Sequence, residues 1–340
     1  MRDILERHIK FWERADVDEP LVGKIPTRQW VERPYPLKGG GLAHDPRQLT
    51  PENIEVGALI DGDCKAKPFV VGDLIIPLGP SYPEAWMESL IGCGIYVSAF
   101  GCAAKPKGVE IAETAADFSV QEAFDSAWGR IMDAVLARAV RAADGQLPVR
   151  QLHLRGVIDM LAAFLGEKKL CESIFDSDDS LSRLGDKFAE LIVRAATRGI
   201  ELRPAWQGGY VSTWKVYAPG SLIDYQVDAS SLFSPRMYEQ HFLGFDRQVL
   251  SQFEYSMLHT HSCGQHIIEC LLGIEELRGI QVNLDRETGA WDKKMILDSC
   301  QKIQAASKCL MIEGELTEDE LAEFKEALSP QGLAICYWNP

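Results

Sequence analysis

The chain has 340 residues, of which 46% are hydrophobic, and its 50 acidic against 35 basic side chains give a formal net charge of -15. That length suits one large α/β barrel or two smaller domains, and the apolar share is enough for a substantial core. The negative charge repels phosphate backbones and anionic lipid, so nucleic-acid and membrane partners are not expected, and a soluble enzyme or binding protein is.

From the N-terminus, MRDILERHIKFWERADVDEP mixes charges with apolar residues at helical spacing and lacks the unbroken apolar stretch of a signal peptide. Apolar runs then alternate with amphipathic stretches. The candidate strands are 69–77, 151–156, 201–207, 222–229, 256–261, 279–285, 308–313 and 332–337. Helical periodicity covers 122–143, 176–198, 235–253, 265–277, 293–305 and 317–328. Ser234 before Pro235, and Thr317 before three acidic residues, are good helix starts. The leftover segment 94–100 predicts part of a hairpin inserted after the first strand.

Alternating strand and helix imply a parallel sheet, and eight such units favour a (β/α)8 TIM barrel over an open sheet. No GxGxxG fingerprint follows any run. The expectation is a single domain over 1–340, with 1–66 as a helical N-terminal extension packed on the barrel. Nine cysteines, odd in number and without paired spacing, do not make a secreted disulfide framework, and a cytoplasmic setting is expected.

Barrel chemistry gathers at the C-terminal ends of the strands. There the runs end in Asp73, Trp206 with Gln207, Asp228, His261 with Cys263, Asp285, Glu313 and Cys336. In strand geometry His261 and Cys263 share a face, and Cys336 comes from the last run. One imidazole and two thiols are zinc ligands of the catalytic kind that leaves a position open, with Asp285 and Glu313 as candidate fourth ligands. The bland reading of any single cysteine is a small buried hydrophobe, which is how the other seven are taken.

His259 is either a partner behind the metal ligands or a packed interior histidine. With Asp285 it joins the aromatic segment 204–214, Trp206, Gln207 and Tyr210 above all, as a candidate substrate contact. That segment forms either a loop walling the substrate site or a helical turn packed on the barrel. Asp228 and Asp73 are candidate acid or base groups, and Arg155 and Arg203 candidate anion partners or surface residues.

The runs SLFSPRMYEQHFLGFDRQVL and LHTHSCGQHIIECLLGIEELRGIQVNLD, with FWERADVDEPLVGKIP, PEAWMESLIGCGIYV and RGVIDMLAAFLG, resemble the uroporphyrinogen decarboxylase superfamily, whose fold is a (β/α)8 barrel. The segment GKIPTRQWVERPYPL lacks the arginine-rich RQAGRYLPE-type loop of the decarboxylases proper, so porphyrinogen decarboxylation is not expected. The pattern of His261, Cys263 and Cys336 is similar to the zinc ligands of the cobamide-dependent branch, exemplified by methylcobamide:coenzyme M methyltransferases. That resemblance implies zinc and a methylcobalamin-type corrinoid co-substrate. No corrinoid module is recognisable, so the methyl donor is then a separate corrinoid protein or a free cobamide. A metal-independent decarboxylase or lyase of the same superfamily, working through Asp73, Asp228 and the arginines, is the alternative. A non-catalytic corrinoid or small-molecule carrier is the third.

Overall fold

The structure, a computed structural model, describes residues 1–26, 37–38, 47–60, 69–80, 85–98, 101–176, 179–286 and 291–340. Cys64 and most of the segment 23–37 lie outside them. Six parallel strands form the main sheet: β1 (Leu21–Lys24), β2 (Leu222–Gln226), β3 (Tyr255–Thr260), β4 (Gly279–Leu284), β5 (Cys309–Glu315) and β6 (Leu333–Trp338). Their order is β1-β6-β5-β4-β3-β2, so consecutive strands are neighbours and β1 returns to pair with the last. Helices connect the later strands, with Lys293–Ala305 between β4 and β5 and Glu318–Ala327 between β5 and β6. Thr317 caps the second through a reciprocal bond with Glu320, as its spacing predicts.

Between β1 and β2 the chain makes two further passes that pair less regularly. The Asp73 N–H donates to Val22 O, Leu78 pairs with Val149, and Arg155 pairs with Gln226, both pairs being isolated parallel bridges. The arrangement is compatible with a TIM-barrel-like fold, although among the described residues the regular ladder comprises six strands and not a closed ring of eight.

Two sequence expectations change. The run 201–207 is not a strand, because the helix Ser180–Leu202 continues into it and Arg203 then turns back to close the helix. Buried Arg203 donates to Gly199 O and Val149 O, while Pro204 has no N–H to give a ladder. An unexpected strand, Leu21–Lys24, instead joins the sheet beside the last strand, inside the segment expected to be an extension. The run 69–77 folds into a short antiparallel pair, Val70–Val71 with Leu74–Ile75. Gly72 makes that turn at φ +59°, and a Cβ there would lie 2.2 Å from Val22 O, so only glycine fits. The expected hairpin is present, with Gly94–Ser98 pairing to both Gly101–Lys105 and Arg47–Leu49.

Period-two alternation divides the strand side chains between two environments. One set, including Ile223, Leu258, Ile280, Leu310 and Ile335, packs under the helices. The other set, including Leu222, Met257, Met311, Ala334 and Cys336, forms a separate interior cluster with Phe11 and Trp12 of the N-terminal helix Arg2–Glu13. The interior changes character along the strands. Leu222 and Met257 lie toward the strand starts, whereas Gln226, His259, Gln281 and Glu313, farther along, are buried and polar. The fold therefore places its polar interior at the C-terminal ends.

Candidate metal centre

Asp228, His259 and His261 each offer a ligand atom within 4.8 Å of the other two. Strand alternation explains the histidines: 259 lies on the inner face of β3 and 261 is the next inward position, just past the strand end. Asp228 opens a short 3-10 turn (Asp228–Leu232) after the neighbouring strand β2.

Neighbouring side chains orient both rings. His259 Nδ1 faces the Gln281 amide oxygen, and His261 Nδ1 lies 2.8 Å from Asp285 Oδ2. Each Nδ1 therefore donates, which leaves the two Nε2 atoms facing one another at 3.1 Å with Asp228 Oδ1 3.6 Å from that of His261. In neutral rings those are two converging lone pairs beside a carboxylate oxygen. Asp228 Oδ1 is itself buried with no hydrogen-bond partner among the described residues. Such a group needs a cation between its members, either a proton or a metal ion. Two imidazole nitrogens and one carboxylate oxygen, each ring held by an outer hydrogen bond, are a donor set that suits zinc or another transition metal.

The charges agree with this geometry. Burial and then the neighbouring His261 push the pKa of His259 down, keeping that ring neutral. Burial also opposes charge on His261, but the hydrogen bond to Asp285 and the charge of Asp228 prevail and raise its pKa. Asp285 is disfavoured as an anion by burial, yet hydrogen bonds from His261 and the Ser262 N–H hold its carboxyl below the usual range. Trp214 stacks on His259 with centroids 4.6 Å apart and planes 13° apart.

The other expected residues are distributed differently. Cys263 does not join the triad, because the chain leaves strand geometry after Thr260 and enters a 3-10 turn over Ser262–Ile267, so the i, i+2 relation from His261 no longer holds. Cys263 is exposed, but partial desolvation of its sulfur, then the charge of Asp285, keep its thiol above the usual pKa. Cys336 is completely buried in the interior cluster, in register with Glu313, and is likewise outside the triad. Glu313 is ion-paired at 2.7 Å with Lys215.

Asp73 sits at the opposite end of the sheet, accepting from the Val22 N–H and ion-paired with Arg7. Trp206, Gln207 and Tyr210 precede β2 and so also lie toward the strand starts. Trp206 packs on Phe69 and Tyr217, Gln207 sits in a tight turn at φ +52°, and the Tyr210 ring lies under the Arg203 guanidinium. The aromatic segment is thus an insertion rising from beneath, and its contribution to the centre is Trp214, a residue of the expected aromatic segment but not one of its leading candidate contacts. Gln281 was also missed, although its inward register two residues before Asn283 was a usable signal. Arg155 lies at the centre's edge, 3.7 Å from Asp228 Oδ2.

Fold and site together define an α/β protein with a six-stranded parallel sheet, compatible with a TIM-barrel-like fold, and a candidate metal centre at its strand ends. No protein-family model and no curated protein sequence matches the chain. Among solved structures, the chain is similar to a methyltransferase from Methanosarcina mazei, with a TM-score of 0.64 over 98% of this chain and 92% of that one, at 12% identity. The similarity is one of fold. No helix among the described residues is long and apolar enough to cross a membrane.

Proposed function

We propose that this protein is a zinc-dependent methyltransferase that moves a methyl group between a corrinoid, free or protein-bound, and a small acceptor such as a thiol. The observation that carries this reading is the convergence of the two Nε2 atoms and Asp228 Oδ1 at the strand ends, in a fold shared with a methyltransferase. His259, His261 and Asp228 would hold the metal, which supplies a Lewis-acid position where a thiol is kept as thiolate at neutral pH. Asp285 and Gln281 fix the tautomers of the two histidines, and Trp214 fixes the plane of His259. Arg155 holds Asp228 from the side away from the histidines. The alternative ligand set, with Cys263 and Cys336 beside His261, shares only the histidine with this one. We read the two irregular passes between β1 and β2 as the remaining staves of an eight-stave barrel.

A metal-independent lyase working through Asp73 and Asp228 is not favoured, since the two carboxylates stand at opposite ends of the sheet and cannot face one substrate. The test follows the visible spectrum of methylcobalamin mixed with the purified protein and 2-mercaptoethanol, together with zinc content. Thiol-dependent loss of the methylcobalamin spectrum is expected, with one zinc per chain, and both should disappear in His261→Ala. Zinc-free protein that still demethylates, or zinc-loaded protein inert toward a panel of thiols, would refute the proposal.

A further inference from the structure

A cavity of about 640 Å³ opens beside Asp228, walled by small residues such as Ala103, Ala162 and Ala163 and by the charged side chains Glu88, Arg155, Asp159 and Glu167. Among its described lining residues, four carboxylates including Asp228 face one guanidinium. Arg155 is shared among three of them: its Nε lies 3.3 Å from Glu88 Oε1 and 3.5 Å from Asp159 Oδ2, and its Nη1 lies 3.7 Å from Asp228 Oδ2. Those Nε contacts lack hydrogen-bond geometry. Glu88 and Asp159 are 6% and 2% exposed, and among the described residues Glu88 Oε2 and Asp159 Oδ2 have no hydrogen-bond partner. Asp159 Oδ1, by contrast, accepts from the Ala229 N–H at 2.7 Å. A buried carboxylate oxygen without a donor is costly, and two of them on one cavity wall call for a ligand that brings N–H groups and positive charge.

We propose that this cavity binds the protonated amine of a small substrate, whose N–H groups donate to Glu88 Oε2 and Asp159 Oδ2. Burial raises the carboxyl pKa of both residues, that of Asp159 to about 7, which is the state a bound cation would reverse. With an amine bound and both ionised, the four carboxylates outweigh Arg155 even beside a divalent ion at Asp228, so the cavity favours a cation over an anionic ligand such as a sulfonate. As the pocket for a methyl acceptor or methylated donor this rests on the proposed transfer. As an amine site it stands on the cavity and the orphaned oxygens alone.

The experiment titrates the full chain with propylammonium and with propionate, read by ligand-observed NMR, and compares Glu88→Gln and Asp159→Asn. Propylammonium should bind at least about tenfold more tightly than propionate, and each variant should weaken it by about tenfold, the loss of one charged hydrogen bond. Equal binding of the two ions, or unchanged affinity in both variants, overturns the site. In parallel, cysteamine should show a lower KM than 2-mercaptoethanol in methylcobalamin demethylation, with the difference abolished in Glu88→Gln. Propylammonium binding without demethylation by either thiol would sink the transfer and leave the amine site standing, and demethylation without amine binding would do the reverse.

Discussion

His261 engages a carboxylate through each ring nitrogen, Asp285 through Nδ1 and Asp228 through Nε2, so its tautomer decides what the centre holds. Asp285→Asn removes the charge that fixes this tautomer while keeping a side chain of the same shape. Outer partners of this kind are worth about 10- to 100-fold in metal affinity. Zinc affinity of Asp285→Asn, measured by chelator competition, should fall within that range with the fold intact, and an unchanged affinity would remove Asp285 from the centre. The sequence pointed to His261 and Asp285 because both end apolar runs. It left His259 between a partner behind the ligands, a packed interior histidine and a substrate contact, because a histidine inside a strand has the same pattern in all three until neighbouring strands are placed around it. The reading of Cys263 required strand geometry to persist beyond residue 260, and the turn over Ser262–Ile267 depends on tertiary contacts that periodicity does not carry.

At the scale of elements, the helix Arg2–Glu13 and the insertion 206–218 close the sheet from its N-terminal end. Trp12 Nε1 donates to Tyr217 O at 2.8 Å, and fully buried His8 accepts from the Tyr217 N–H through Nδ1 while Nε2 meets Asp73 O at 2.7 Å. Only the neutral imidazole makes both bonds, and burial, partly offset by Asp73, pulls the His8 pKa from 6.5 to about 4. The unfolded chain therefore binds this proton more readily between those values. The associated stability is complete above about pH 6.5 and is lost as pH falls toward 4, with about 2 kcal/mol gone by pH 5. Denaturant unfolding of wild type and His8→Gln should show the gap between them narrowing by about that amount from pH 7.5 to pH 5. A gap independent of pH would mean that His8 is not held neutral. Other buried groups titrate in the same window, but they are common to both proteins and cancel in the difference. Regular helices such as Lys293–Ala305 were legible from period alone, and Glu318–Ala327 from period and its Thr317 cap. The insertion was not, because its aromatic residues have the same composition whether they line a mouth or plug a base, and β1 is too short at four residues to show a period.

For the molecule as a whole, the centre joins three neighbouring strands: Asp228 follows β2, both histidines belong to β3 and its end, and Gln281 and Asp285 come from β4 and its end. These segments are distant in sequence and meet only when the parallel sheet has formed, so the unfolded chain lacks the donor set. A metal bound there stabilises the native state by mass action, about 2.7 kcal/mol at a hundredfold excess over Kd. For a chain of this size that amounts to a rise in Tm of roughly 4 °C. Zinc added to chelator-treated protein should produce such a rise, EDTA should reverse it, and His261→Ala should not respond. Cys336→Ala keeps an apolar side chain in the interior cluster and discriminates between the two ligand sets. If Asp228, His259 and His261 hold the ion, the zinc-dependent rise survives in that variant, whereas its loss there with the metal-free Tm unchanged would return the metal to the thiol of the last strand.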